Sequence, residues 1–161
     1  MSTLATIRAA IAAKAAAVPD FGVVHNRERF DAGSESKFKD LFVYELAGGA
    51  KQLRGWWLRR VATEELAIAF GRTVDVHTWQ MRGYMAFADA DASELVFDEL
   101  VEAFRDAVRA DPTFGGVCEA EPMGDDARVP QNVQVLDAGP VRFCGVLCHS
   151  AVLQLRTWSY Q

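Results

Sequence analysis

Residues 74–109 change abruptly from a strand pattern to a helix pattern, and this stretch constrains the fold more than any other part of the chain. Apolar side chains alternate over residues 74–87 and occupy both faces of the predicted strand. Such a pattern is typical of a central strand covered on both sides, or of a strand at a subunit contact. A short acidic hinge with Asp89, Asp91 and Ser93 follows, and Asp91 or Ser93 is the predicted helix N-cap.

The segment after this hinge, residues 94–109, has an apolar stripe opposite a charged face, which predicts an amphipathic helix. Acidic residues gather near its start and arginines near its end, as the helix dipole favours. The apolar stripe consists of Phe97, Leu100, Val101, Phe104 and Val108. Asp111 and Pro112 are predicted to terminate the helix.

The remaining elements are shorter or less regular. An alanine-rich helix is predicted over residues 4–18, with Ser2 or Thr3 as its N-cap. Strands are predicted over residues 21–24, 41–46, 55–61, 133–136 and 141–158, with a loop at 31–39 and turns at 47–50, 122–130 and 138–140. Residues 62–73 are ambiguous between a strand and a helical turn. This order predicts an α+β fold in which two helices pack on one face of an antiparallel β-sheet.

Length and charge limit the classes of protein to consider. The 161 residues are most simply one domain, residues 1–161, which is large enough to bury a core. The net charge of −5 argues against a protein that neutralises DNA phosphates through a basic face. It is compatible with a surface along which DNA slides. No signal peptide and no apolar run of membrane-spanning length is apparent, so cytoplasmic synthesis is expected.

The side chains that commonly carry chemistry do not form a recognisable set. Cys118, Cys144 and Cys148 make an odd count without framework spacing, and reduced thiols are expected. Cys144, Cys148 and His149 lack the paired spacing of a metal site, and residues 148 and 149 point to opposite faces of a strand. His77 lacks a neighbouring carboxylate and cysteine pattern, so a packed or interface histidine is the favoured interpretation.

Two acidic and glycine-rich patterns also have simpler interpretations. Asp89, Asp91 and Glu94 do not have the spacing of a calcium-binding loop, and a hinge with a helix cap is favoured over a cation site or an acid/base pair. The glycine pairs at 48–49 and 115–116 are predicted turns. We therefore predict no catalytic residue, no metal and no cofactor, and expect function to come from surface and assembly.

The most prominent surface candidate is a basic and aromatic cluster. Trp56 and Trp57 are adjacent on a predicted strand and face opposite sides, so one faces the core and the other faces a second layer or a partner. The cluster is able to stack bases, as single-strand binders do. An interface is favoured because aromatic and arginine residues are the usual anchors of protein contacts. The candidate interface residues are Trp56, Trp57, Arg59, Arg60, His77 and Trp79.

Several local motifs, taken in order, resemble one known family. They are Phe21-Gly22-Val23-Val24-His25, the strand with His77, Trp79 and Gly83-Tyr84, the helix from Ser93 to Val108, Phe114-Gly115-Gly116, and Gly145-Val146-Leu147-Cys148-His149. Together they resemble the tail terminator (tail completion) proteins of long-tailed bacteriophages and prophages. The resemblance extends over residues 4–158 and is one of element order and scattered residues. Residues 30–60 fit it less clearly.

The resemblance implies a small subunit that assembles as a ring, commonly a hexamer, on the head-proximal end of the phage tail tube. The ring would stop tube polymerisation and offer a surface to the head–tail connector, without a cofactor or a membrane partner. DNA would pass through its lumen without specific binding. A closed ring needs two different patches per subunit. The strand at 74–87, the arginine–tryptophan strand and the loop at 31–39 are the candidates.

Three alternatives remain open at this point. A neck or head–tail connector subunit shares the expected fold and ring. A small ligand-binding or enzymatic α+β domain would use Trp79, Tyr84 and His77 around a pocket, but it lacks a convergent nucleophile, base or metal set. A nucleic-acid binder is the third alternative, and salt-dependent affinity for DNA would be its signature.

Overall fold

The computed structural model describes residues 3–30, 33–69, 71–119 and 132–160, without the side chains of residues 68 and 69. In chain order the elements are α1 (Leu4–Ala16), β1 (Val23–His25), α2 (Glu35–Asp40), β2 (Val43–Glu45), β3 (Lys51–Ala69), β4 (Arg72–Ala86), α3 (Ser93–Ala110), β5 (Gln134–Phe143) and β6 (Val146–Tyr160). A 3-10 turn, Asp89–Asp91, precedes α3. No helix in these ranges is long and apolar enough to cross a membrane.

The strands form one sheet in the order β1-β3-β4-β6-β5, and β2 pairs with the beginning of β3. The four long strands are antiparallel to their neighbours, whereas β1 runs parallel to β3. The α+β class is therefore confirmed, and the expectation of a purely antiparallel sheet is corrected to a mixed one. The parallel pairing arises because the chain crosses from β1 to β3 through α2 and β2.

The main core lies where α1 and α3 pack against one face of the sheet, which we call the helix face. The Trp56 ring is stacked between Phe21 and Phe97, at centroid distances of 4.4 and 5.6 Å. Gly83 allows the backbone of β4 to approach this ring closely, because a Cβ there would meet the Trp56 ring at 2.2 Å. Thr3 caps α1 by accepting from the Thr6 N–H, as one of the two predicted caps.

A second apolar cluster lies on the opposite side of the sheet, which we call the open face. Helix α2 covers one end of this face, where Phe38 contacts Phe42 and Trp57. A loop was predicted over residues 31–39, and this prediction is wrong for residues 35–39, which belong to α2. Its start is fixed by Ser34, whose Oγ accepts a hydrogen bond from the Lys37 N–H. The partly buried Phe38 packs the helix against the second cluster. Residues 31 and 32 lie outside the described ranges.

The hairpin of β3 and β4 is longer than the predicted strand over residues 55–61. It takes up the ambiguous residues 62–73 and turns near Gly71, where φ is +75°. The pairing register shifts between Arg60 and Ala62, so Val61 is an extra residue. A bulge of this kind exchanges the two faces of the strand. The bulge therefore directly precedes the residues whose pattern was ambiguous between a strand and a helical turn.

Two further predictions are corrected near the ends of elements. The predicted turn at residues 138–140 lies inside β5, and the chain turns instead at Cys144 and Gly145, whose φ values are +48° and +73°. Pro140 is tolerated in β5 because β5 is an edge strand. Ala92, in the left-handed region, precedes α3 without a side-chain cap, so the predicted cap by Asp91 or Ser93 is wrong. The predicted turn at 122–130 lies outside the described residues.

Candidate interaction surface

Two of the predicted interface residues are core residues. Trp56 and Trp79 have no exposed surface. The Trp56 indole N–H donates to the Phe21 carbonyl at 2.8 Å, and the Trp79 indole N–H donates to Thr157 Oγ1 at 2.9 Å. Their placement at a subunit contact is corrected by this burial, since neither ring reaches the surface of the folded subunit.

His77 is also nearly covered. It is 5% exposed, and its Nδ1 lies 2.9 Å from Thr63 Oγ1, across the β3–β4 hairpin. Burial lowers the pKa of His77, with a smaller opposing contribution from Asp75. His77 therefore links the two strands of the hairpin and presents little surface to a partner.

The other three candidates divide between the two faces of the sheet. Trp57 and Arg59 lie on the open face, whereas Arg60 is opposite Trp79 at the helix-face edge and is exposed. Trp57 is in the aromatic cluster below α2, 6.5 Å from Phe38 between ring centroids. The prediction that one tryptophan faces the core is confirmed for Trp56. Of the two environments predicted for the other, a second layer or a partner, the aromatic cluster around Trp57 is the second layer.

A polar row crosses four strands in the middle of the open face. The pairing register places Arg59, Gln80, Gln154 and Gln134 side by side on β3, β4, β6 and β5. Arg59 Nη2 donates to Gln80 Oε1 at 3.3 Å, and Gln80 Nε2 donates to Gln154 Oε1 at 3.3 Å. This part of the sheet therefore has a hydrogen-bonded polar surface in place of a second apolar layer.

Beside this row lies a group of three residues, Trp57, Arg59 and Arg82, which we call the open-face cluster. Trp57 and Arg82 are directly paired across β3 and β4. Arg82 forms a side-chain hydrogen bond with the hydroxyl of Tyr84, and burial raises the pKa of that phenol against the opposing charge of Arg82. Arg59 Nη1 is 3.9 Å from a carboxylate oxygen of Glu28.

The open-face cluster contains most of the unsatisfied buried donors in the described ranges. Across the described ranges, four buried side-chain polar atoms have no hydrogen-bond partner. Three of them belong to the cluster, Trp57 Nε1, Arg59 Nε and Arg82 Nε, and the fourth is Ser159 Oγ. Buried donors in folded proteins are nearly always paired, so a concentration of unpaired ones marks an unusual site. Arg82 was not predicted as a site residue, because only the pairing register of the strands brings it to Trp57.

The sheet also has two strand edges without a partner in the described part of the chain. Beyond Trp57, the outer edge of β3 has no strand beside it, and β5 pairs on one side only. Both segments are exposed along most of their length. Their exposed apolar side chains include Val61, Leu66, Val135, Leu136 and Val141. Unpaired edges of this kind are templates for pairing with another chain.

One pair of polar residues lies apart from this surface. Ser93 Oγ is 2.8 Å from His149 Nε2, and it also accepts a hydrogen bond from the Ala88 N–H. A cleft of about 400 Å³ opens beside His149 and includes Glu94 and Asp98 in its lining. Ser93 is 4% exposed, and among the described residues no carboxylate is hydrogen-bonded to His149. The pair holds the β4–α3 connection to β6, and nothing in the sequence signalled it.

The thiols and histidines do not form a metal site in the ranges that the structure describes. No group of three or more metal-binding side chains is present there, and Cys148 and His149 lie on opposite faces as predicted. The three cysteines are free thiols. Burial raises the pKa values of Cys118 and Cys148 to about 11, which keeps these thiols protonated at neutral pH.

Comparison of the chain with models of protein families gives no match, and comparison with curated proteins finds no similar sequence. The function is therefore argued from the residues and their geometry.

Proposed function

We propose that this protein is a ring-forming structural subunit of the phage virion, of the tail terminator kind, located at the head-proximal end of the tail. The proposal rests on the family resemblance of the local motifs over residues 4–158 and on the two free strand edges of the sheet. It makes the protein a structural component without catalytic activity.

The observation that carries the proposal is that the two free edges differ. One is the outer edge of β3 beyond Trp57, and the other is the outer edge of β5. A heterologous contact between two different patches generates a ring when its rotation closes. Backbone pairing of β3 in one subunit with β5 in the next would also cover Val61 and Leu136, which are 40% and 51% exposed.

The mechanism proposed for this ring is capping. One face of the ring would bind the last ring of tail tube protein, and the other would present a surface that accepts the head–tail connector and no further tube subunit. The net charge of −5 is compatible with passage of DNA through the lumen without specific binding.

The test is to measure solution mass by sedimentation across a concentration series and to image the most concentrated sample by negative stain. Rings of about six subunits with a central hole are expected, because the family resemblance implies a hexamer and a heterologous contact closes into a ring. Leu136→Lys on the β5 edge is expected to abolish the rings, and Leu95→Lys on the exposed surface of α3 is the matched control. Failure of the protein both to form rings and to bind the ends of cognate tail tubes would contradict the proposal.

A neck or head–tail connector subunit is the nearest alternative, because it needs the same ring. Binding separates the two functions. A terminator binds the ends of tail tubes made of the cognate tube protein, whereas a connector binds the portal complex. Pull-down with each partner, using the ring-deficient Leu136→Lys variant as a negative control, distinguishes them.

The cleft beside His149 favours a second candidate function, which is binding of a small molecule. It has a volume of about 400 Å³ and combines the rings of Phe87 and Phe97 with a buried Ser93–His149 hydrogen bond. Native mass spectrometry of the purified protein tests this function directly. A retained small molecule that is lost in His149→Phe would support it over the structural function.

A further inference from the structure

The open-face cluster contains buried hydrogen-bond donors for which the described part of the subunit supplies no acceptors. Trp57 is 8% exposed and its indole N–H is unpaired, and the Nε atoms of Arg59 and Arg82 are buried and unpaired as well. Leaving a buried donor unpaired costs about 1–3 kcal/mol. Three such donors on adjacent residues are expected where a partner brings the acceptors.

The strand register places the two guanidinium groups where one anion reaches both. Trp57 pairs with Arg82, and Arg59 is two residues further along β3 on the same face. Diagonal neighbours on one face of an antiparallel pair are about 7–8 Å apart, within reach of long side chains. The Arg59 side chain is 39% exposed, so the site opens to solvent on this side. Two arginines in this arrangement recognise a carboxylate or a phosphate.

The subunit already holds one carboxylate beside this site, in an imperfect position. Glu28 Oε2 is 3.9 Å from Arg59 Nη1, which is too long for a hydrogen bond. The charge of Glu28 also contributes to the raised pKa of Tyr84, the phenol bonded to Arg82, although burial is the larger cause. Glu28 therefore lies near Arg59 without hydrogen-bonding to it, and among the described residues the unpaired donors are left without an acceptor.

We infer that the open-face cluster is a docking site for a carboxylate side chain of an acidic segment in a partner protein, and that this carboxylate displaces Glu28. The neighbouring Gln80 and Gln154 are uncharged, so the cluster does not extend into a track that follows a phosphate backbone. This inference concerns the open face and not the strand edges, so it holds whether or not the subunit forms a ring.

The experiment measures fluorescence anisotropy of a fluorescein-labelled hexaglutamate peptide and, separately, of a labelled oligothymidylate with six phosphates. The double variant Arg59→Gln/Arg82→Gln is expected to bind the peptide about tenfold more weakly or worse than the unmodified protein. The matched control is Arg105→Gln/Arg109→Gln on α3, which changes the net charge equally and is expected to leave the affinity unchanged.

A second variant keeps the test decisive if the double variant folds poorly. Glu28→Gln removes the competing carboxylate and is expected to tighten peptide binding about two- to fivefold, a gain that misfolding does not produce. Equal affinity for the peptide of the unmodified protein, the Arg59→Gln/Arg82→Gln variant and the Glu28→Gln variant would overturn the inference. Tighter binding of the oligothymidylate than of the peptide, lost with Arg59 and Arg82, would overturn it in favour of nucleic acid.

Discussion

Trp56 and Trp57 are consecutive in the sequence, yet they belong to two regions that differ in how completely their buried polar groups are hydrogen-bonded. On the helix face, Trp56 is stacked between two rings and its indole N–H donates to the Phe21 carbonyl. On the open face, Trp57 is almost as well buried, but its indole N–H has no partner among the residues that the structure describes. The same residue type is satisfied by the subunit on one face and left unsatisfied on the other.

This difference extends to the ion pairs of the two faces. On the helix side, Lys14 of α1 and Asp111 after α3 are 2.8 Å apart, with a hydrogen bond between them. On the open side, Arg59 and Glu28 are 3.9 Å apart. The Lys14–Asp111 pair of the helix face is therefore closed within one subunit, whereas the Arg59–Glu28 pair of the open face is too long for a hydrogen bond. Burial of a tryptophan alone does not distinguish these two situations.

The largest expected effect tests how tightly the helix face is packed. Gly83→Val should destabilise the protein by about 3 kcal/mol or more, because its Cβ would meet the Trp56 ring and force the core to move. Gly139→Val is the matched control, since a Cβ at Gly139 meets no heavy atom within 4 Å and valine favours a strand. Urea unfolding measures both, and equal stability of the two variants would contradict the described packing.

The next largest expected effect is a difference in the free energy of unfolding between variants of the two tryptophans. Trp56→Phe should cost about 1–3 kcal/mol more than Trp57→Phe, because the first variant leaves the Phe21 carbonyl without its donor and the second removes a donor that has no acceptor. Both substitutions remove the same volume, so the difference isolates the hydrogen bond. Urea unfolding again provides the free energies. A larger cost at Trp57 would show that its N–H is satisfied within the subunit.

The predictability of the fold follows the same division. The α3 helix was predicted closely from sequence because one amphipathic stripe packs on one surface, and its observed range is Ser93–Ala110. The β3 strand was only half predicted, since residues 62–73 were also compatible with a helical turn, and the bulge at Val61 exchanges the faces of the strand. The turn at Cys144 was missed because that residue adopts φ +48° without being glycine, while Gly139 and Pro140 gave a stronger but misleading turn signal.

The candidate site was predictable only in part. Adjacency on a strand was enough to separate Trp56 from Trp57, but it did not decide which of them faced the core. Arg82 joins Trp57 through the β3–β4 register, and Glu28 approaches Arg59 from the connection between β1 and α2. Such contacts depend on tertiary pairing and have no local pattern. A constellation built from three separate segments therefore becomes visible only in the folded chain.

A smaller effect concerns the pH dependence of the helix-face ion pair. Hydrogen bonds from Lys14 and Thr113 lower the pKa of Asp111 from 3.8 to about 2. Because the folded pKa is depressed, this group stabilises the protein above the unfolded pKa, and the stabilisation is lost as the pH falls from about 4 to about 2. Asp111→Asn should therefore be less stable than the unmodified protein at pH 6, and the difference should shrink across that acid range.

The matched variant for this measurement is Glu28→Gln on the open face. Its ion pair is longer and partly exposed, and such pairs contribute little to stability. Its unfolding free energy should stay close to that of the unmodified protein at neutral pH. A difference for Asp111→Asn that persists unchanged at pH 2 would show that the Asp111 carboxylate is not held by Lys14.

The last prediction concerns the reaction rates of the buried thiols, which distinguish unpaired polar groups from loose packing. Cys118 lies in the helix-face core and Cys148 in the cluster below α2, and burial raises the pKa of each thiol to about 11. Both thiols should therefore react with a disulfide reagent at pH 8 at least about a hundredfold more slowly than the more accessible Cys144. Kinetics with Cys144→Ser isolate the two buried thiols. Slow reaction of both would show that the open face is closely packed and lacks only hydrogen-bond acceptors. Rapid reaction of Cys148 alone would show that the packing around Cys148 opens. In that case water would satisfy the unpaired donors.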